Sequence, residues 1–242
     1  NIMLEQLAIS ANALAKSERE TAWREMARQV AHEIKNPLTP MKLSIQFLQR
    51  AIHDQRTDVG ELTQKTAQTL IEQIDNLSLI ANQFGQFAQI SSSQLESIDL
   101  IAVIHNSCNL YRRNEHCIAI HEHHQSEFVK VIGNKTQLLS VFNNILLNAI
   151  QAIPENREGI IEVISSIHKE TIQISIKDNG SGIDADKLMK IFEPNFTTKS
   201  SGTGLGLAIA KTIIQASGGD IVAYSAKNKG SEFIITLPLL AE

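Results

Sequence analysis

Cysteine is scarce in this sequence: Cys108 and Cys117 are the only two, and they form no CxxC pair. A disulfide framework is therefore excluded, and the expectation is two reduced, buried thiols in a cytoplasmic setting. Long apolar runs are missing too, since no stretch approaches the roughly 20 residues needed to span a bilayer. No signal peptide opens the chain, which begins on Asn1 and reads as helical at once. That combination predicts a piece cut from a longer protein, and it leaves open whether the parent is membrane-anchored. Charge of one sign is not in excess either. A net charge of −4 gives no general attraction to nucleic acid or anionic lipid, so neither nucleic acid nor direct membrane contact is expected.

Proline and glycine are nearly absent from the first 90 residues, which hold Pro37, Pro40, Gly60 and Gly85. Long helices can therefore form there. Leu4, Leu7, Ala11 and Leu14 make a heptad seam suited to a coiled coil over 1–20. Across the polar run 16–20 the phase changes, and the stripe resumes at Trp23, Met26, Val30, Ile34, Leu38, Met41, Ile45, Leu48 and Ile52. A second stripe runs through Leu62, Thr66, Leu70, Ile74, Leu77, Ala81, Phe84 and Ala88, with the turn at 54–60. Two amphipathic helices in a hairpin cannot bury both apolar faces alone. A homodimer forming a four-helix bundle over 21–90 is expected.

Ser91-Ser92-Ser93-Gln94 opens a polar linker, taken as 91–97, and from 98 to 242 the pattern becomes mixed. Helices fit 100–111, 135–153, 184–190 and 204–217. Strands fit 117–121, 127–132, 160–167, 171–177, 220–225 and 232–237. Helices on one face of a mixed sheet make a two-layer α+β sandwich.

His32 lies about 200° around the helix from Val30, away from the apolar stripe. Glu33 adjoins it, Asn36 sits one turn on, and Pro37 should kink the helix just beyond. An imidazole held in one tautomer by a carboxylate leaves its other nitrogen nucleophilic. Taken alone, an ordinary solvated histidine is the better reading. A zinc-protease helix fails, because position 36 is Asn where a second His is required.

Downstream, Asn144 and Asn148 share one face of a helix, with Asn143 off it. Their amide oxygens suit Mg²⁺, although polar packing explains such a pair equally well. Asp178-Asn179-Gly180-Ser181-Gly182 follows an apolar strand, where a carboxylate can accept a hydrogen bond from an adenine amino group. By itself that motif is more readily a surface turn. The run Gly202-Thr203-Gly204-Leu205-Gly206-Leu207 opens a helix, whose N–H groups favour phosphate. It is neither a Walker loop nor a dinucleotide fingerprint. Between the two glycine motifs, 191–199 has the aromatic anchors of a lid. The histidines at 116, 121, 123 and 124 lack ligand companions at the required spacing and read as a solvated loop.

The segment Ala31-His32-Glu33-Ile34-Lys35-Asn36-Pro37-Leu38-Thr39-Pro40 resembles the H-box of sensor histidine kinases, nearest the nitrogen-regulation (NtrB/NtrY-like) branch. The downstream elements resemble that family's N, G1, F and G2 boxes, in order. The resemblance covers residues 20–240. It implies an all-α dimerising hairpin followed by an α+β ATP-binding domain of the histidine kinase, heat-shock chaperone and topoisomerase type. It also implies that His32 takes the γ-phosphoryl of ATP with Glu33 as base, and passes it to an aspartate in a response regulator's receiver domain. Asn36 would position water for dephosphorylating that partner.

In the nucleotide site the resemblance assigns Mg²⁺ to Asn148, with Asn144 beside it, and adenine to Asp178, with Gly180 and Gly182 shaping the pocket. Phosphate goes to Gly202, Thr203, Gly204, Leu205 and Gly206, the lid to Phe192 and Phe196, a phosphate contact to Lys199, and a place near adenine to Ser231. One departure is Gln151, where many relatives carry a basic residue, which puts a phosphate contact there in doubt. The expected setting is the cytoplasmic portion of a membrane-anchored sensor. Two rivals stay open: an ATP-driven clamp that forms no phosphoenzyme, and a scaffold that holds ATP only as a structural ligand.

Overall fold

Helix α1 spans Ile2–His53 and α2 spans Val59–Ile90. The computed structural model describes all residues except 1, 91–94, 113–117, 195, 198–203 and 241–242. Of residues 2–26, 29, 79, 82–84 and 86–90 it describes the backbone alone. The chain divides into two compact units, Asn1–Gly85 and Gln86–Glu242. The heptad seam at 4–14 and the winding change at 16–20 concern side chains outside the described ones.

The first unit turns between its helices in five residues. Gln55 takes a left-handed φ of 51°, and Arg56 N–H donates to the Ala51 carbonyl at 3.0 Å, which ends α1. Arg56 also grips the Asp58 carboxylate through two nitrogens, at 3.0 and 2.6 Å, just before α2 begins. So short a connection makes the helices antiparallel neighbours.

Val30, Glu33, Pro37 and Ala51 are buried along α1, with Pro40, Met41, Ser44 and Leu48 half-buried among them. On α2 the matching positions are Thr66 and Ile80, with Leu62, Leu70, Gln73 and Leu77. These stripes are the sides on which the hairpin closes.

Ile34 and Leu38 do not share Val30's buried face: they are 37% and 46% exposed, in a second stripe with Ile45 and Ile52. Each step of four residues turns 40° further around the helix, which carries Ile34 and Leu38 off the inner side. Helix α1 is continuous through both Pro37 and Pro40. A proline costs a helix one donor but leaves its neighbours' bonds in place.

The second unit holds a five-stranded sheet in the order β2-β4-β5-β7-β6. Its strands are β2 (Ile118–His124), β4 (Gly159–His168), β5 (Thr171–Asp178), β6 (Asp220–Ala226) and β7 (Gly230–Pro238). β2 and β4 pair in parallel, and the other neighbours are antiparallel. The strands alternate, so Ile161, Val163, Ile172, Ile174, Ile176, Phe233, Ile235 and Leu237 all point to one buried face. Helices α3 (Leu100–Arg112), α4 (Lys135–Ala152) and α6 (Gly206–Ala216) meet that face through Ile104, Leu138, Phe142, Ile145, Leu146 and Ile209. Each such side chain contributes about 1.5–3 kcal/mol of burial.

Strand β1 (Glu96–Asp99) was not foreseen. It pairs with β3 (Lys130–Gly133) and lies partly inside the stretch read as a linker. Four residues are too few for a periodic signal, and the partner strand lies some thirty residues on. Side chains start two of the helices: Asp99 Oδ1 accepts Ile101 N–H at 3.1 Å, and Asn134 Oδ1 accepts Gln137 N–H at 3.1 Å. The helix expected over 184–190 is a single turn, α5 (Ala185–Leu188).

Candidate functional site

On the hairpin, His32 is exposed, and so is Asn36 one turn further on. Leu43 and Phe47 continue the same side of α1 at i+11 and i+15, and are 59% and 50% exposed. Arg56 lies over the Phe47 ring, 5.5 Å from its centroid. Glu33 is different. It is only 8% exposed, because one residue along a helix turns 100° and carries its carboxylate onto the buried side. Pro37 and Pro40 cannot donate to the carbonyls of Glu33 and Asn36, so the backbone bonding of α1 is altered next to His32.

In the second unit β5 delivers Asp178 to the end of the sheet, where it is 3% exposed. Its Oδ1 accepts N–H bonds from Gly180 at 2.8 Å and Ser231 at 3.3 Å. Among the described residues nothing donates to Oδ2. Burial pushes the carboxyl above the usual carboxylate range, and the two amides pull it part of the way back. A buried carboxylate with one oxygen satisfied is built to accept one further donor.

The turn that carries Asp178 is wedged between two elements. Ser181 N–H donates to the Ala152 carbonyl at the end of α4 (2.8 Å), and Asn228 N–H donates to the Ser181 carbonyl (2.6 Å). Ser225, which the sequence reading missed, accepts Ile183 N–H at 2.8 Å and donates to the Gly230 carbonyl at 2.8 Å. Gly182 and Gly230 both have left-handed φ, at 67° and 86°. A side chain on the first would strike the Ala226 carbonyl, and one on the second the Asp178 carbonyl. Backbone packed on backbone leaves glycine as the only residue that fits. Ser231 is buried and contributes its N–H rather than its hydroxyl to Asp178. The Ser231 hydroxyl lies 3.0 Å from that of Ser225.

Helix α6 begins at Gly206 against α4: a methyl placed on Gly206 would lie 3.2 Å from Asn144 Oδ1. Its N-cap residue, Leu205, has an apolar side chain that makes no capping hydrogen bond. Asn144 Oδ1 thus lies beside the start of α6, with Asn148 one turn further along α4; helix N–H groups suit phosphate, and amide oxygens suit a hard cation. Leu205 is fully buried, and Gly204 has φ 65°. Phe192 packs edge-on against Phe233 at 6.4 Å, with Lys211 5.2 Å above its ring. Phe196 is half-buried. Lys199, Gly202 and Thr203 lie outside the described residues.

Comparison with known proteins matches residues 22–93 to the His Kinase A (phospho-acceptor) domain. Residues 133–241 match the histidine kinase-, DNA gyrase B- and HSP90-like ATPase. The catalytic domain of the histidine kinase ThkA superposes with a TM-score of 0.55 at 31% identity, covering 60% of this chain and 96% of that one. The chain belongs to the histidine kinases. Sensor histidine kinase ZraS of Escherichia coli K12 is 34% identical over 93% of this histidine kinase chain and 48% of its own length. Nitrogen regulation protein NtrY of Azorhizobium caulinodans is 32% identical over 93% of the chain and 30% of its own. The chain thus spans half or less of these curated relatives. A complex of ThkA with the response regulator protein TrrA has a TM-score of 0.71 at 25% identity, over 93% of this chain and 64% of that one. No described helix is long and apolar enough to cross a membrane.

Proposed function

We propose that this chain is the catalytic core of a sensor histidine kinase that phosphorylates His32 from ATP and passes the phosphoryl group to a receiver-domain aspartate. The observation that carries the reading is the exposure of His32 on a hairpin whose flanking Val30 and Glu33 are buried. An unprotonated ring nitrogen attacks the γ-phosphorus in line, the bond to the β–γ bridging oxygen breaks, and ADP leaves with that electron pair. Asp178 accepts the adenine amino group, and the N–H groups opening α6 hold phosphate oxygens. Mg²⁺, with Asn148 as ligand and Asn144 nearby, would neutralise charge between the phosphates. Phe192 and Phe196 anchor a lid, Lys199 reaches a phosphate, and Gly202, Thr203 and Gly204 complete the phosphate loop. Glu33 acts on His32 from the buried side of α1, and Asn36 orients water for dephosphorylating the partner.

The functional boundaries proposed are a signalling helix at 1–20, the phosphotransfer hairpin at 21–90, a linker at 91–97 and the ATP domain from 98. The likeness to sensor kinases supports a cytoplasmic position in a membrane-anchored parent. The receiver is placed on the side of α1 that carries His32, Leu43 and Phe47, where apolar surface lies open beside the acceptor.

The outer stripe of Ile34, Leu38, Ile45 and Ile52, with Ile71 and Ile74 on α2, supports a homodimer in a four-helix bundle. Ile45→Glu combined with Ile74→Glu should weaken self-association by at least about a hundredfold, because the dimer would bury unpaired charges. Light scattering that still gives a dimer at micromolar concentration would refute this.

Incubation with γ-labelled ATP should give an acid-labile label in the unchanged protein and none in His32→Gln. Label surviving that substitution would end the assignment. Steady ATP hydrolysis without label would favour the clamp reading, and ATP binding without turnover a scaffold. Asn36→Ala should keep the label while slowing dephosphorylation of the phosphorylated partner at least about tenfold.

A further inference from the structure

We infer that Arg157 is a positioning residue that sets the preference of the Asp178 turn for adenine over guanine. The inference rests on reading that turn as the nucleotide site. Arg157 lies in the short connection between α4 and β4, folded back by its own N–H to the Pro154 carbonyl at 3.0 Å. Its Nη1 donates to the carbonyl of Asn179 at 2.5 Å and to that of Gly180 at 3.4 Å. The Asn179 side chain ties the same connection down. Its Oδ1 accepts Ile160 N–H at 3.0 Å, and its Nδ2 donates to the Glu158 carbonyl at 3.0 Å. The turn after Asp178 is thus laced to the entry of β4 over residues 157–160.

One peptide plane links this lacing to the carboxylate. The Asn179 carbonyl and the Gly180 N–H belong to the same rigid amide and point in opposite directions. Arg157 holds the oxygen end, and Asp178 Oδ1 accepts from the nitrogen end at 2.8 Å. A guanidinium on the oxygen also polarises the amide and strengthens its N–H as a donor. Rotation of that plane would take the N–H away from Oδ1 and let the carboxylate turn. Arg157 opposes the rotation from more than 20 residues away in sequence.

Adenine offers an amino group where guanine offers a carbonyl. A carboxylate oxygen held in one pose accepts from the first and repels the second, whereas one that can turn rejects guanine less. Lysine, a single ammonium without the planar fork, can hold one carbonyl less firmly.

Calorimetric titration of the whole chain with ATP and with GTP, for the unchanged protein, Arg157→Gln and Arg157→Lys, tests the inference. Arg157→Gln is expected to lower the ATP-to-GTP affinity ratio about tenfold, with Arg157→Lys in between. In autophosphorylation the KM for ATP should rise while kcat at saturating ATP holds, and the unfolding temperature without nucleotide should not move. An unchanged ratio in Arg157→Gln overturns the inference. So does a loss of kcat in step with a lower unfolding temperature, which would make Arg157 merely structural. If the unchanged protein binds neither nucleotide, the reading of the site falls, and this inference with it.

Discussion

Asp178→Asn is expected to weaken ATP binding about a hundredfold while making the empty ATP domain more stable. The two effects have one origin. Asp178 is a carboxylate held in a buried place, with Oδ1 satisfied by the N–H groups of Gly180 and Ser231. An asparagine oxygen can accept both of those bonds, so the turn keeps its shape. The amide nitrogen then occupies the place of Oδ2 and meets the adenine amino group donor to donor. The empty protein meanwhile no longer holds a negative charge out of water.

The pH dependence follows from the same group. Burial raises the carboxyl above its ordinary value, so the empty fold favours the protonated form more than the unfolded chain does. Its contribution to stability is full below the unfolded-state value and is lost as pH rises through the raised one. Nucleotide binding, which needs the ionised form, should weaken as pH falls through that raised value, and Asp178→Asn should remove this step. Calorimetric ATP titrations across pH, together with thermal unfolding of both proteins, would measure it. An Asp178→Asn protein that binds ATP as tightly as the original would refute the role given to Asp178.

Gly230→Ala is expected to destabilise the second unit by about 3 kcal/mol or more and to abolish nucleotide binding. Two costs combine at this glycine. Its φ of 86° is strained for any residue with a Cβ, and that Cβ would be driven into the Asp178 carbonyl. Neither backbone can yield, because Ser231 N–H and the Gly230 carbonyl are both engaged in holding the Asp178 turn. Gly218 separates strain from collision. Its φ is 78°, but an added Cβ would meet only the Pro238 ring, at 3.4 Å from Cγ and 4.0 Å from Cδ, ordinary contacts. Gly218→Ala should therefore cost only about 1 kcal/mol and leave ATP binding intact. Equal losses in chemical denaturation of the two variants would show that φ alone matters, and that the packing of the 226–230 turn on the Asp178 turn does not.

Much of the architecture was legible in the sequence, and the reasons are local. Apolar residues at helical spacing, with almost no proline or glycine, mark two long helices before residue 90. Alternating isoleucines mark β4 and β5. Asp178 stands out because glycines follow it two and four residues on, at the end of a strand. The failures involve partners distant in the chain. Strand β1 exists because Ile98 finds Val131. Ser225 and Arg157 reach the Asp178 turn across 42 and 22 residues, to Ile183 and Asn179, and no short motif contains either of them. Val30, Ile34 and Leu38 lie in one apolar stripe, yet only Val30 is buried within the single chain, because a stripe on one helix does not say which part of it the neighbouring helix will cover.

The sequence by itself determined the helical hairpin, the order of the motifs, and which side of α1 His32 occupies, since periodicity and turn chemistry act within a few residues. Tertiary structure alone decided that Glu33 is buried, that Asp178 has one oxygen tied by backbone amides, and that Ser225 of β6 and Arg157 of the α4–β4 connection are bonded to the backbone around it. Burial and hydrogen-bond satisfaction depend on what the folded chain brings alongside, and nothing in the spacing of neighbouring residues encodes that.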